Sequence, residues 1–195
     1  MTDDATDGPA GTLFAAERER TGAVANYARL FAHKPAVYTA WRQLLGALLE
    51  GLDPRRYELA TLAAARALRS TYCGLAHGTV LSERFYDAGT VRQLAQDAKQ
   101  AGLDDADLAI MNFAEKVARD ASSVAQDDVD GLRGHGLSDS EIFEVALTAA
   151  LRSFFSKSVD AFAVQPDDAY AALEPGLRDA LAFGRTPGWD RRRPE

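Results

Sequence analysis

The sequence predicts an all-α protein, and three observations carry that expectation. Apolar residues recur at helical spacing along most of the 195 residues. An alanine-rich stretch at 57–68 combines high helix propensity with side chains small enough for close helix packing. No strand-like alternation runs longer than a few residues, and nothing repeats at a fixed period.

Taken in order, a polar lead over 1–12 reads as disordered, and residues 13–184 as one helical domain. The first helical stretch carries Leu13, Phe14, Val24, Tyr27, Leu30 and Phe31. Pro35 suits the first turn of the next, which carries Val37, Tyr38, Trp41, Leu44, Leu45 and Leu48 and has Gly51 as its stop. Pro54 opens a third, and a fourth begins around Cys73 and runs towards Phe85. Weaker stretches cover 90–99, 104–121 and the neighbourhood of Val129. Ser138 followed by Glu141 is a capping box, and the helix it starts extends to Val164, before Pro166. The residues 185–195 read as a flexible tail.

Composition narrows the function. With 47% hydrophobic and 26% charged residues the chain has the balance of a globular domain. Its net charge of −7 opposes a phosphate backbone, so nucleic acid is not an expected partner. Apolar runs such as 59–65 fall far short of the roughly 18 residues of a membrane helix. One cysteine, and no signal peptide in residues 1–12, suggest a reduced, cytoplasmic setting. No glycine-rich phosphate cradle occurs, and His33, His77 and His135 are too scattered for zinc-like spacing, so neither cofactor nor metal is expected.

The segment 57–81, YELATLAAARALRSTYCGLAHGTVL, is the one that suggests chemistry. Cys73 and His77, four apart, share a helix face if the helix starts near Thr71. Cys73 then lies in the first turn, where free N–H groups and the helix dipole stabilise a thiolate, with His77 one turn on to relay a proton. Glu58 sits near the start of the preceding helix. Each also has a plainer reading: a packed cysteine, a hydrogen-bonded histidine, a first-turn acid.

The run Glu58, Ser70, Cys73, His77 resembles the signature E-x11-C-x2-C-x3-H of the alkylhydroperoxidase-D-like, carboxymuconolactone decarboxylase superfamily, here as a single-cysteine variant. The flanking LDPRRYELATLAAARAL and ALTAALRSFFSKSVDAFAVQPD extend the likeness. The resemblance implies a helical bundle that forms homo-oligomers, with its site near a subunit interface. It also implies that Cys73 attacks peroxide while Glu58 and His77 relay a proton. Ser70 stands where dithiol members have their resolving cysteine, and Tyr72 where some have histidine. In the closing helix Ser153 and Lys157 replace the usual asparagine and arginine, whereas Asp160 matches. Without the second thiol, an external thiol must reduce the sulfenic acid.

Three functions remain open: a one-cysteine peroxidase, a cofactor-free lyase or isomerase clamping a lactone carboxylate with Arg66, Arg69 or Arg152, and a non-catalytic helical oligomer. Geometry adds a condition. Twelve residues of unbroken helix set Glu58 about 18 Å from Ser70, so a parallel-sided hairpin leaves it beyond hydrogen-bond reach of His77. Crossing helices, an irregular 69–72 turn or a second subunit would restore contact. The closing helix, apolar over more than one stripe, suggests a homo-oligomer with that helix or 35–49 at the interface.

Overall fold

The computed structural model describes residues 7–189, and those residues form ten α-helices linked by loops and short 3₁₀ turns, with no strand. They are α1 (Gly8–Thr21), α2 (Asn26–Phe31), α3 (Pro35–Leu49), α4 (Pro54–Ala67), α5 (Thr71–Arg84), α6 (Ala88–Gln96), α7 (Asp105–Asp120), α8 (Gln126–Gly134), α9 (Asp139–Ala161) and α10 (Pro175–Leu181). None is long and apolar enough to cross a membrane.

α4 is the centre. Every residue from Tyr57 to Ala65 is buried, and the alanines at 60, 63, 64 and 65 let α5, α7 and α9 close in around it. Asp53 caps its N-terminus, accepting from the N–H groups of Arg55 and Arg56. The same two arginines hold the buried Asp107 of α7 as ion pairs. One core cluster joins α4 to α10. A second, built from Leu13, Phe14, Val24, Phe31 and Tyr38, packs α1–α3 over Tyr72, Cys73, Phe155 and Val159. The chemistry suggested by the sequence therefore sits at the seam between two apolar layers.

The turn between α4 and α5 is tight. Arg69 takes a left-handed conformation (φ 55°), Ser70 N–H reaches Ala65 O at 2.9 Å and Arg69 N–H reaches Arg66 O at 3.0 Å. That is a Schellman motif with arginine where glycine is usual. It delivers Thr71 straight into α5, so Cys73 is indeed the third residue of its helix.

Four sequence boundaries are corrected. α1 begins at Gly8, with Pro9 in its first turn, so the lead is helical over 8–12; residues 1–6 lie outside the described part. The first apolar stretch is two helices, because Gly22 (φ 79°) terminates α1. α9 stops at Ala161, where the chain turns through Ala163 (φ 53°) before Pro166 can act. In the tail, residues 185–189 pack: Gly188 N–H bonds Gln165 Oε1 at 2.8 Å and Trp189 lies against the main core, while 190–195 lie outside the described part. α10 carried a readable signal, Pro175 at a first helical position, but is too short for periodicity to reveal.

Candidate active site

Glu58 and His77 meet within one chain: His77 Nδ1 lies 2.6 Å from Glu58 Oε2. The sharp Schellman turn removes the offset expected of a straight-sided hairpin, and no second subunit is needed. An ionised carboxyl only accepts, so the imidazole carries its proton on Nδ1 and leaves Nε2 bare. Burial, reinforced by the Arg152 charge, holds His77 below its ordinary range, against the opposing pull of Glu58. His77 is therefore neutral near pH 7, the form that takes up a proton.

Cys73 is 1% exposed. Two residues of α9 contact its sulfur: Ser156 Oγ at 3.1 Å, and Arg152 Nη1 at 3.6 Å. Arg152 also spans to Tyr57 Oη at 3.4 Å and stacks its guanidinium 5.4 Å from the Phe155 ring. Burial opposes its charge, but the adjoining Cys73 sulfur and Tyr57 hydroxyl outweigh that and hold Arg152 protonated. A cation and a hydroxyl thus face the sulfur, an arrangement that can stabilise a thiolate. Arg152 was one of three cations the sequence offered as a clamp. Arg66 instead pairs with Glu115 at 2.5 Å, and Arg69 is the left-handed residue of the turn; neither lines the cavity beside Cys73. Ser156 escaped sequence reading. Its only signal was its place one turn beyond Arg152, which with Thr148 puts three polar residues on a largely apolar helix face.

Ser70 lies apart from this group, and Tyr72 borders the same cavity without a hydrogen bond to Glu58, Cys73 or His77. Ser70 is fully buried at the start of α5; its hydroxyl makes no well-formed hydrogen bond, though it lies close enough to Asp160 to offset part of the upward shift that burial imposes on that carboxyl. The Tyr72 hydroxyl donates to Asp167, which also accepts Asn26 N–H at 2.7 Å. Burial and the Asp167 charge push the Tyr72 phenol upward, so it remains a donor there and adds no step to the relay.

Above Cys73 opens a cavity of about 670 Å³. Tyr57, Cys73, His77 and Arg152 line it, and Tyr27, Trp41, Tyr72, Phe155 and Tyr170 supply aromatic walls. Among the described residues no three His, Cys, Asp or Glu side chains converge as a metal site.

Residues 35–84, from α3 to the end of α5, match the carboxymuconolactone decarboxylase family. No protein of curated function matches the chain. Among solved structures, an uncharacterized peroxidase-related protein with an alkylhydroperoxidase AhpD core, from Ralstonia eutropha JMP134, is 24% identical with a TM-score of 0.75, covering 83% of this chain and 86% of its own. An uncharacterized peroxidase-related protein from Silicibacter sp. TM1040 is 22% identical with a TM-score of 0.78, over 87% and 90%. The debrominase Bmp8, as a cysteine-to-alanine variant with 2,3,4-tribromopyrrole bound, is 14% identical with a TM-score of 0.71, over 92% and 95%. At such identities the likeness shows a shared fold, and the matched segment carries the Glu58, Cys73 and His77 of the site. Residues 35–84 are thus similar to the carboxymuconolactone decarboxylase family, and the described chain shares its fold with proteins built on an alkylhydroperoxidase AhpD core.

Proposed function

We propose that the chain is a thiol-dependent peroxidase acting on organic hydroperoxides through Cys73. The observation that carries this reading is the convergence on one buried sulfur of Arg152 and Ser156, beside a neutral His77 held by Glu58. His77 Nε2 takes the thiol proton, directly or through one water, and the sulfur attacks the distal oxygen of the hydroperoxide. The O–O bond breaks, and the imidazolium returns the proton to the departing alkoxide. One hydroperoxide gives one alcohol, and Cys73 gains one oxygen as a sulfenic acid. Ser70 offers no sulfur to resolve it, so an external thiol completes the cycle. A 670 Å³ cavity is large for hydrogen peroxide and suits an organic substrate. The test is thiol-dependent consumption of cumene hydroperoxide by wild type and Cys73→Ser. Turnover confined to the wild type supports the reading, and equal turnover, or none with any thiol, ends it.

The aromatic walls favour one second reading, removal of bromine from a flat aromatic, the activity for which the debrominase that shares the fold is named, here with Cys73 as the attacking thiol and an external thiol as reductant. Bromide release from a bromopyrrole, lost in Cys73→Ser, supports it. The lyase reading has less behind it, since Arg152 is already engaged by Cys73 and Tyr57.

A further inference from the structure

We infer that Cys73 has a single door, so that hydroperoxide and reductant enter by the same cavity, and that the reductant is a low-molecular-weight thiol and not a folded protein. The inference rests on the peroxidase reading and concerns its second half-reaction. The far side of α5 is shut. Gly74 and Gly78 are pressed by the end of α10: a β-carbon on Gly74 would meet the Leu181 carbonyl and, at 2.8 Å, the Phe183 ring, and one on Gly78 would meet a Leu181 methyl at 2.5 Å. Beyond them Gly184 lies directly on the Arg69 carbonyl and donates its N–H to Thr71 Oγ1 at 3.0 Å, sealing the turn that holds Ser70. The void beside Thr71 and Tyr72 is about 10 Å³, room for a water at most. Among the described residues, the 670 Å³ cavity is the opening that Cys73 lines.

The geometry of a mixed disulfide supplies the size limit. Two bonded cysteines hold their Cα atoms no more than about 7 Å apart. A protein thiol would therefore bring its own backbone to the cavity floor. A helix with its side chains is about 10–12 Å across and would have to displace the walls made by Tyr27, Trp41, Phe155 and Tyr170. A free thiol meets no such obstacle. Its sulfur attacks the sulfenic sulfur, water departs and a mixed disulfide forms; a second thiol attacks that disulfide, freeing Cys73 and leaving the small disulfide.

The experiment separates the half-reactions. Wild-type protein is given one equivalent of cumene hydroperoxide, and gain of one oxygen is read by intact mass. The remaining peroxide is removed, and glutathione or reduced thioredoxin is added at equal thiol concentration. Return of the thiol at least about tenfold faster with glutathione is expected. Comparable or faster return with thioredoxin overturns the inference while leaving the peroxidase reading intact. Failure to gain oxygen fells the peroxidase reading and the inference with it. A second arm narrows the door with Ala76→Phe on the cavity wall, folding being checked by circular dichroism. Both half-reactions should slow; if both run at wild-type rates, the sulfur is reached from elsewhere.

Discussion

At the scale of single residues, the Glu58–His77 pair makes the sharpest predictions. Because burial lowers His77 in the folded protein, the unfolded chain binds the extra proton first. The stability gained from a neutral His77 is complete above its unfolded value near 6.5 and is lost as pH falls below it. Urea unfolding between pH 7.5 and 5.5 should therefore show a stability loss in the wild type that His77→Gln reduces. Glu58→Gln removes the charge that opposes burial, so His77 falls further, and peroxide turnover should drop by about 10²-fold or more. Arg152→Ala removes a buried charged donor worth about 2 kcal/mol, a slowing of peroxide attack by roughly thirtyfold. Arg152→Lys should restore little, since one ammonium does not span Cys73 and Tyr57 as the planar fork does. Stopped-flow measurement of the first half-reaction checks both. The Cys73–His77 pairing could be read from its four-residue spacing and Glu58 from the signature it resembles, whereas the contact of Glu58 with His77 depends on the turn between α4 and α5. Ser156 and the placement of Arg152 were not, because they arrive from about 80 residues away and only packing of α9 on α4 and α5 brings them in.

Among the elements, the contact of α5 with α10 separates two glycines. At Gly78 the obstacle is a side chain, whereas at Gly74 it is backbone and ring. Gly78→Ala should cost about 1–3 kcal/mol by overpacking, and Leu181→Ala in the same chain should recover part of it. Gly74→Ala should cost more and gain nothing from Leu181→Ala, because the carbonyl oxygen stays in place. Denaturant midpoints of the two pairs decide. The starts of helices with caps or prolines, α3, α4 and α9, were readable from sequence nearly to the residue. The break between α1 and α2 was not: Gly22 interrupts a run whose apolar spacing continues through it, and a period says nothing of a single left-handed residue.

The whole molecule leaves several large apolar side chains in water: Leu44 of α3 (54% exposed), Phe143 of α9 (62%) and Phe162 at its end (72%). They fall on the two helices whose sequence suggested an interface, and we propose that a homo-oligomer covers them. Light scattering should give a mass of two, three or six chains, and Leu44→Lys with Phe143→Lys should lower it towards the 21.0 kDa of one chain. A monomer at micromolar concentration refutes the assembly. The cavity itself joins two unlike halves. One side is built from helices, α3, α4, α5 and α9 among them, while the other, Ala23, Val24, Ala25, Tyr27 and residues 167–170, is a roof of loop, short helix and a 3₁₀ turn in which the Asp167 carboxylate joins Tyr72 to Asn26. Amides of the roof should exchange with deuterium through small local openings while those of α4 wait for global unfolding. A ligand that fills the cavity would then slow exchange over 23–27 and 165–170 and leave the α4 rates unchanged, so an occupant could be recognised by where the protein stops breathing before any product is seen.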